Sequence, residues 1–109
     1  MDELTWLTRW YAKHCNGEWE HQYGVKIDTL DNPGWMLKIN LEETELENRP
    51  FDCQQSGEAS EEYDPDRVAS WWLCRVEKKQ FVAYCGAHDL HGVISVFREW
   101  AESATDTQI

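Results

Sequence analysis

A cysteine and a histidine near the end of the chain have the types and spacing that nucleophilic catalysis needs. Cys85 and Gly86 lie where a strand-like segment passes into a helix-like one, and His88 follows closely. Amide groups at a helix N-terminus can lower the pKa of a thiol, and an imidazole can act as its base. The alternative interpretation is therefore a small cytoplasmic thiol enzyme, sulfurtransferase-like, that uses Cys85. Every strand-to-helix connection offers this geometry, however, and no oxyanion motif accompanies it, so we expect no catalytic residues.

Cysteine and histidine residues also form two groups that could be considered as metal ligands. The groups are Cys85, His88 and His91, and His14, Cys15 and His21. A zinc site needs three or four ligands that converge on one point, and neither spacing matches a recognised zinc motif. None of the four cysteines stands in a Cys-x-x-Cys pair, and free thiols are expected in a reducing compartment. We therefore predict no metal site, no cofactor and no disulfide framework.

Acidic residues are concentrated in the middle of the chain. Ten of them lie between Glu42 and Asp66 against one base, Arg49, so this acidic block carries a net charge of −9. The remaining 84 residues hold 11 acids and 9 bases and sum to −2. This charge repels phosphate backbones and anionic lipids, so we expect neither nucleic-acid nor membrane binding. The block is either a solubilising surface or a docking surface for a basic protein.

Five acids of the block and a nearby tryptophan are the candidate partner-binding residues. The acids are Glu58, Glu61, Glu62, Asp64 and Asp66. They fall in segment 52–67, which has few apolar residues and two chain breakers, and which we predict to be a mobile acidic loop. Neighbours on a strand point to opposite faces, so one of Trp71 and Trp72 must leave the core side. Trp71 is the candidate exposed anchor, because exposed tryptophan is favoured at protein interfaces.

Helical spacing marks both ends of the chain. Apolar residues at Leu4, Leu7 and Tyr11, with Trp6 and Trp10 alongside, give a wide apolar stripe and predict a helix over 2–15 that ends at Asn16-Gly17. Asp89 is a good N-cap for a second helix. The core stripe of that helix is predicted to consist of Leu90, Val93, Ile94, Phe97, Trp100 and Ala101. Residues 103–109 are polar and terminal, and we expect them to fray.

Between the helices the apolar period changes to two, which predicts strands. Residues 19–28 and 35–42 alternate apolar and polar side chains and form a hairpin. The turn between them contains Pro33 and Gly34, and Gly34 is expected to supply the positive φ of a type II turn. The sheet then continues after the acidic loop.

A second hairpin is predicted from residues 71–76 and 81–85, and residues 44–51 could add a short edge strand. Hairpins without strand-helix-strand alternation favour an antiparallel sheet. We therefore predict a two-layer α+β fold, in which four to five antiparallel strands, built from two hairpins, pack against an N-terminal and a C-terminal helix.

The length of 109 residues corresponds to one domain, which we expect to span residues 1–109. No apolar run approaches the roughly 18 residues of a membrane helix, and the acidic start Met1-Asp2-Glu3 is unlike a signal peptide. We therefore expect a cytoplasmic protein. Large aromatic side chains can compensate for a small core. The tryptophans on predicted core faces are Trp6, Trp10, Trp19, Trp35 and Trp100.

Several motifs occur together in a recognisable order. They are Trp6-Leu7, Trp10-Tyr11, Cys15-Asn16-Gly17-Glu18-Trp19-Glu20-His21, Tyr23-Gly24, Leu30-Asp31-Asn32-Pro33-Gly34-Trp35 and Phe97-x-x-Trp100. This combination resembles immunity protein family 53 of bacterial polymorphic toxin systems. The resemblance covers most of the chain except the acidic loop.

The resemblance implies a small cytoplasmic antitoxin that binds a cognate toxin domain and blocks it, without catalysis of its own. It does not identify the toxin. The charge of the acidic block agrees with a basic partner, such as a nuclease toxin with a cationic active site. Self-association is left open by the sequence.

Overall fold

Helices from both ends of the chain cover one face of an antiparallel sheet, which confirms the predicted α+β arrangement. The computed structural model describes residues 1–31, 33–57 and 70–106, with side chains up to Ser103. Within these ranges the elements are α1 (Glu3–His14), α2 (Trp19–Gln22), β1 (Val25–Leu30), β2 (Gly34–Asn40), β3 (Gln54–Ser56), β4 (Trp72–Glu77), β5 (Gln80–Cys85) and α3 (Leu90–Asp106). The five described strands lie in the order β1-β2-β5-β4-β3, and all neighbours run antiparallel.

The first helix buries part of the predicted stripe, because Leu7 and Trp10 are buried and Trp6 is partly buried. Asp2 caps α1, because its carboxylate accepts a hydrogen bond at 2.7 Å from the backbone N–H three residues later. The stripe is wrong at Leu4 and Tyr11, which are 62% and 37% exposed. Instead, α1 packs on α3 through aromatic rings, and the ring centroids of Trp10 and Phe97 lie 5.1 Å apart. Burial of the largest apolar surfaces therefore decides how the helix is rotated.

A short helix follows where the sequence predicts a strand. The strand over 19–28 is wrong in its first half, because Trp19–Gln22 is the helix α2. The side-chain oxygen of Asn16 accepts hydrogen bonds at 2.9 Å from the N–H groups two and three residues later. In return, the carboxylate of Glu20 accepts those of Asn16 and Gly17, at 2.9 and 2.8 Å. These reciprocal bonds resemble a capping box and outweigh the apolar period of two.

The first hairpin joins β1 to β2 and places Ile27 opposite Leu37. The expected positive φ at Gly34 is wrong, because this residue lies outside the left-handed region. Glycine is needed there for space instead. A Cβ on Gly34 would collide with the backbone carbonyl oxygen of Cys85 on β5. The first residues of β2 can therefore pair closely with the end of β5, although Asn32 of the turn lies outside the described residues.

The segment between β2 and β3 differs from the predicted edge strand over 44–51. Successive turns occupy this stretch, and the N–H of Thr44 donates to the carbonyl of Leu41 at 3.0 Å. Leu46 is fully buried within these turns, so its apolar side chain serves the core and not a strand. The fifth strand is β3, Gln54–Ser56, which lies inside segment 52–67 where we predicted a loop.

The second hairpin, β4 with β5, is confirmed and closes on a two-residue turn. Lys78 and Lys79 form this turn with φ of 50° and 59°. Positive φ at both central residues is the requirement of the type I′ turn, whose twist matches that of paired strands. A residue outside the hairpin also stabilises this turn, because the N–H of Leu41 donates to the carbonyl of Lys79 at 2.9 Å.

The last helix begins as predicted and runs further than predicted. Its first residue follows Asp89, whose carbonyl accepts the N–H of Val93 at 3.1 Å. It continues to Asp106, into the segment that we expected to fray, and residues 107–109 lie outside the described residues. The predicted core stripe is confirmed. Its members Val93, Ile94, Phe97 and Ala101 are buried, and Leu90 and Trp100 are partly buried.

Tryptophan side chains join the helices to the turns around them. Of the five predicted core tryptophans, Trp10 and Trp19 are buried, and Trp6, Trp35 and Trp100 are partly buried against the same cluster. Three indole N–H groups donate to backbone carbonyls. They are those of Trp19 to Glu42 at 2.8 Å, Trp35 to Ala87 at 2.9 Å and Trp100 to Pro50 at 3.0 Å. Each ring therefore fills core volume and also fixes a loop.

Candidate functional site

The predicted partner-binding residues are divided between described and undescribed parts of the chain. Glu58, Glu61, Glu62, Asp64 and Asp66 all lie outside the described residues. Trp71 lies within them and is half-buried, while Trp72 packs against the helix-side core. The backbone of Trp71 is held on both sides, since its N–H donates to Asp89 at 3.0 Å and its carbonyl accepts from Gly86 at 3.0 Å.

Both ends of segment 58–69 are fixed at the same edge of the sheet. Before the segment, Ser56 on β3 pairs with Trp72 on β4. Gly57 follows with a φ of 66°, and a Cβ there would collide with the carbonyl oxygen of Ser70. After the segment, the hydroxyl of Ser70 donates at 2.8 Å to Oδ1 of Asp89, whose Oδ2 accepts from the N–H of Trp71. The structure thus brings the two ends of the acidic segment together beside the start of α3.

The described half of the acidic block is tied into the fold. Glu45 accepts a hydrogen bond from His14 at 2.9 Å and lies 3.6 Å from the ammonium of Lys13. Burial alone would raise the pKa of Glu45, but the bond from His14 and the charges of His14 and Lys13 hold that pKa below its usual value. Glu47 lies 3.9 Å from the ammonium of Lys79. These carboxylates therefore serve the structure as well as the surface charge.

The cysteine considered for catalysis is buried. Cys85 has no exposed surface and lies at the end of β5, where it pairs with Trp35 and Trp72. Burial, followed by the negative charge of Asp89, raises the pKa of the Cys85 thiol to about 11. A nucleophilic thiol needs a lowered pKa and access to substrate. Cys85 instead has a raised pKa and no access to solvent. The geometry therefore argues against the thiol enzyme and agrees with Cys85 as a small apolar core residue.

Neither a metal site nor a membrane span is present in the part of the chain that the structure describes. No three histidine, cysteine or acidic side chains lie close enough there to hold a metal ion. No helix within the described ranges is long and apolar enough to cross a membrane. All four cysteines are free thiols.

Cations collect on the sheet face opposite to the helices, a feature that the sequence analysis missed. No described helix packs on this surface, which we call the helix-free face. Lys26 on β1 lies directly opposite Lys38 on β2, Lys38 opposite Val82 on β5, and Val82 opposite Arg75 on β4. The three cations, Lys26, Lys38 and Arg75, thus form one cross-strand row, which we call the cation row. The alternation of apolar and polar residues indicated the face of each side chain but not which residues pair across the strands. The sequence therefore carried no signal that these three cations lie in one row.

Comparison with known families accounts for almost the whole chain. A model of the family described as immunity protein 53 matches residues 4–102. The chain belongs to the immunity protein 53 family. No match was found among curated proteins or among solved structures.

Membership of the immunity protein 53 family confirms the resemblance drawn from the tryptophan and glycine motifs. The matched range contains the sheet, both long helices up to residue 102 and the acidic segment. It gives this chain the role of an immunity protein and implies a toxin as its partner. Several motif residues of the immunity protein 53 family stabilise the fold in this chain. Asn16 and Glu20 accept the hydrogen bonds at the start of α2, and Gly34 leaves space for the backbone of Cys85.

Proposed function

We propose that this immunity protein acts in the cytoplasm as a stoichiometric inhibitor, binding a cognate toxin domain and blocking its active site. The observation that carries the proposal is the family match over residues 4–102. An inhibitor of this kind needs a stable scaffold and a complementary surface, and it needs no catalytic groups. The raised pKa of the buried Cys85 supports inhibition over thiol catalysis.

The toxin domain is basic, and a nuclease with a cationic active site is the partner class that the charge favours. The acidic block carries −9 within 25 residues. Concentrated charge of one sign steers association with an oppositely charged partner and raises the rate by about 10 to 1000 times at low salt. The contact residues are Glu58, Glu61, Glu62, Asp64 and Asp66, with Trp71 as the apolar anchor.

Attachment of segment 58–69 supports this assignment. The carboxylate of Asp89 binds Ser70 and the backbone of Trp71, so the residue that follows the segment is attached next to the anchor residue. A partner that binds the acids would therefore also meet the side chain of Trp71. Charge and apolar contact together are what a specific interface requires.

Capture of the partner is the first experiment. Tagged protein is used to recover binding proteins from a lysate of the organism that makes it, at low and at high salt. We expect one stoichiometric partner, retained at low salt and weakened at high salt, whose expression alone is toxic and whose toxicity this protein abolishes. A recovered partner that is harmless by itself, or is not neutralised, would contradict the immunity function.

Charge neutralisation then tests the contact residues. One variant carries Glu58→Gln, Glu61→Gln, Glu62→Gln, Asp64→Asn and Asp66→Asn. The control variant neutralises five exposed acids outside both the acidic block and the helix-free face: Asp2, Glu18, Asp31, Glu99 and Glu102. Both sets change the net charge from −11 to −6. We expect the first variant to associate at least about tenfold more slowly at low salt, with a flatter salt dependence, and the control to change little. Equal rates for the two variants would remove the acidic segment from the interface.

A further inference from the structure

The cation row is unusual in a chain with a net charge of −11. Its side chains emerge from β1, β2 and β4, with Val82 of β5 between the second and the third. Neighbouring strands lie about 4.8 Å apart, so the row extends over about 14 Å between its first and last strands. Val82 is 1% exposed although it points away from the helices. Long cationic side chains on either side can cover such a residue with their aliphatic stems while their charges stay at the surface.

Within the described residues, Lys26 and Lys38 form no ion pair that would stabilise the fold. Lys26 and Lys38 are direct cross-strand partners, and like charges in this position destabilise a sheet. Arg75 lies 3.3 Å from Glu77, but its Nε is buried without a hydrogen-bond partner. Charges that cost stability and remain unpaired indicate a surface that binds something else.

An apolar row runs beside the cations. Met36, Tyr84 and Leu73 are successive cross-strand partners on β2, β5 and β4. Met36 is buried, Tyr84 and Leu73 are half-buried, and none of the three belongs to the helix-side core. Tyrosine, methionine and arginine are the residue types that protein interfaces favour. The helix-free face therefore combines an apolar strip, continued on β1 by Asp28, with a parallel row of three cations, beside which Glu77 lies on β4.

From this arrangement we infer that the helix-free face docks an acidic strip of the toxin domain, with an apolar side chain of the toxin against Tyr84 and Leu73. The inference rests on the proposed function, because it assigns a second contact surface to the same complex. Charge complementarity selects the occupant: a strip of carboxylates would satisfy Lys26, Lys38 and the guanidinium of Arg75, whose side chain is 42% exposed. The acidic block attracts the basic part of the toxin, and the cation row sets the orientation in which it binds.

The inference is tested by removing positive charge from the cation row and measuring whether toxin binding becomes weaker or tighter. The test variant is Lys26→Gln, Lys38→Gln and Arg75→Gln. The control variant is Arg9→Gln, Lys13→Gln and Lys78→Gln, three exposed cations on α1 and in the β4–β5 turn. Both change the net charge from −11 to −14. Affinity is measured for the purified toxin domain that the wild-type protein neutralises.

The test variant is expected to bind at least about tenfold more weakly, mainly through faster dissociation, while the control binds as tightly as wild type or more tightly. Additional negative charge by itself should favour a basic toxin, so equal or tighter binding by the test variant would overturn the inference. The proposed function would survive that result. Failure of the wild-type protein to neutralise the toxin would instead contradict the proposed function itself.

Two measurements on the free protein complete the test. Lys38→Gln should leave Tm unchanged or raise it, because it removes a like-charge contact with Lys26. A lower Tm would show that the fold uses the cation, which would overturn the argument. Sedimentation velocity should show a wild-type monomer. A wild-type dimer that the triple variant abolishes would show that a second copy, and not the toxin, occupies this face.

Discussion

The two faces of the sheet use the same strands for different purposes. On the helix side, Leu37, Ile39 and Phe81 have no exposed surface and pack under α1 and α3. On the helix-free face, the residues between them on β2 include Lys38, which faces another lysine across the strand pair. The comparison teaches that stability is concentrated on one face. The other face can then hold side chains that the fold does not need.

Loss of a buried ring on the helix side should have the largest effect. Trp19 is 2% exposed, contacts the ring of Trp10, and donates its indole N–H to the carbonyl of Glu42. We expect Trp19→Ala to lower the free energy of unfolding by about 3–5 kcal/mol. Urea denaturation monitored by circular dichroism measures this. A loss below about 1 kcal/mol would contradict the assignment of the core to this face.

A matched pair of half-buried aromatic residues compares the two faces directly. Trp100 packs on Phe51 and Phe81 from the helix side, whereas Tyr84 lies on the helix-free face. We expect Trp100→Ala to cost about 3 kcal/mol and Tyr84→Ala about 1 kcal/mol, because a cavity forms in the first case alone. Thermal unfolding of both variants supplies the measurement. Equal losses would show that the helix-free face also carries a core.

Gly34 is the position on the helix-free face where we expect a substitution to destabilise the fold. A Cβ there would meet the backbone carbonyl of Cys85, which cannot move aside as a flexible side chain could. We expect Gly34→Ala to cost about 1–3 kcal/mol in the free energy of unfolding, as overpacking does. Gly24→Ala is the control, since its Cβ would meet the ring of Tyr11 at an ordinary 3.9 Å. Similar losses for both variants would rule out the steric explanation.

Glu45 should give the smallest effect, with a defined dependence on pH. Its pKa in the folded protein lies below the ordinary value of 4.5, so ionised Glu45 stabilises the fold above that pH. The contribution is lost as the pH falls through the folded pKa. We expect Glu45→Gln to cost below about 1 kcal/mol near pH 6, and the difference from wild type to shrink as the pH falls below 4.5. A difference that grows on acidification would contradict this sign.

Periodicity was sufficient to predict the layer arrangement but not the local exceptions to it. Both hairpins and the stripe of α3 follow from repeated apolar residues at periods of two and 3.6. The period of two fails at Trp19–Gln22, because hydrogen bonds that the side chains of Asn16 and Glu20 accept from backbone N–H groups start a helix there. Local bonds of this kind compete with secondary structure and leave no periodic signal.

The candidate site could be predicted from sequence in part. Charge counting located the acidic block, and alternation separated Trp71 from Trp72. The attachment of Ser70 and Trp71 to Asp89 joins residues that are 19 and 18 positions apart, and no local pattern encodes that. The cation row likewise depends on cross-strand register, which becomes visible when the strands are paired.

The attachment of both ends of segment 58–69 has a consequence for how this scaffold can change. Pairing of β3 with β4, the contact of Gly57 with Ser70 and the bonds to Asp89 close the chain without using the residues between them. The entropic cost of closing a longer loop is small, about 0.6 kcal/mol for each doubling of its length. Insertions, deletions and grafted sequences between these anchors should therefore leave the core intact, which would let one framework acquire new specificities by exchange of a single segment.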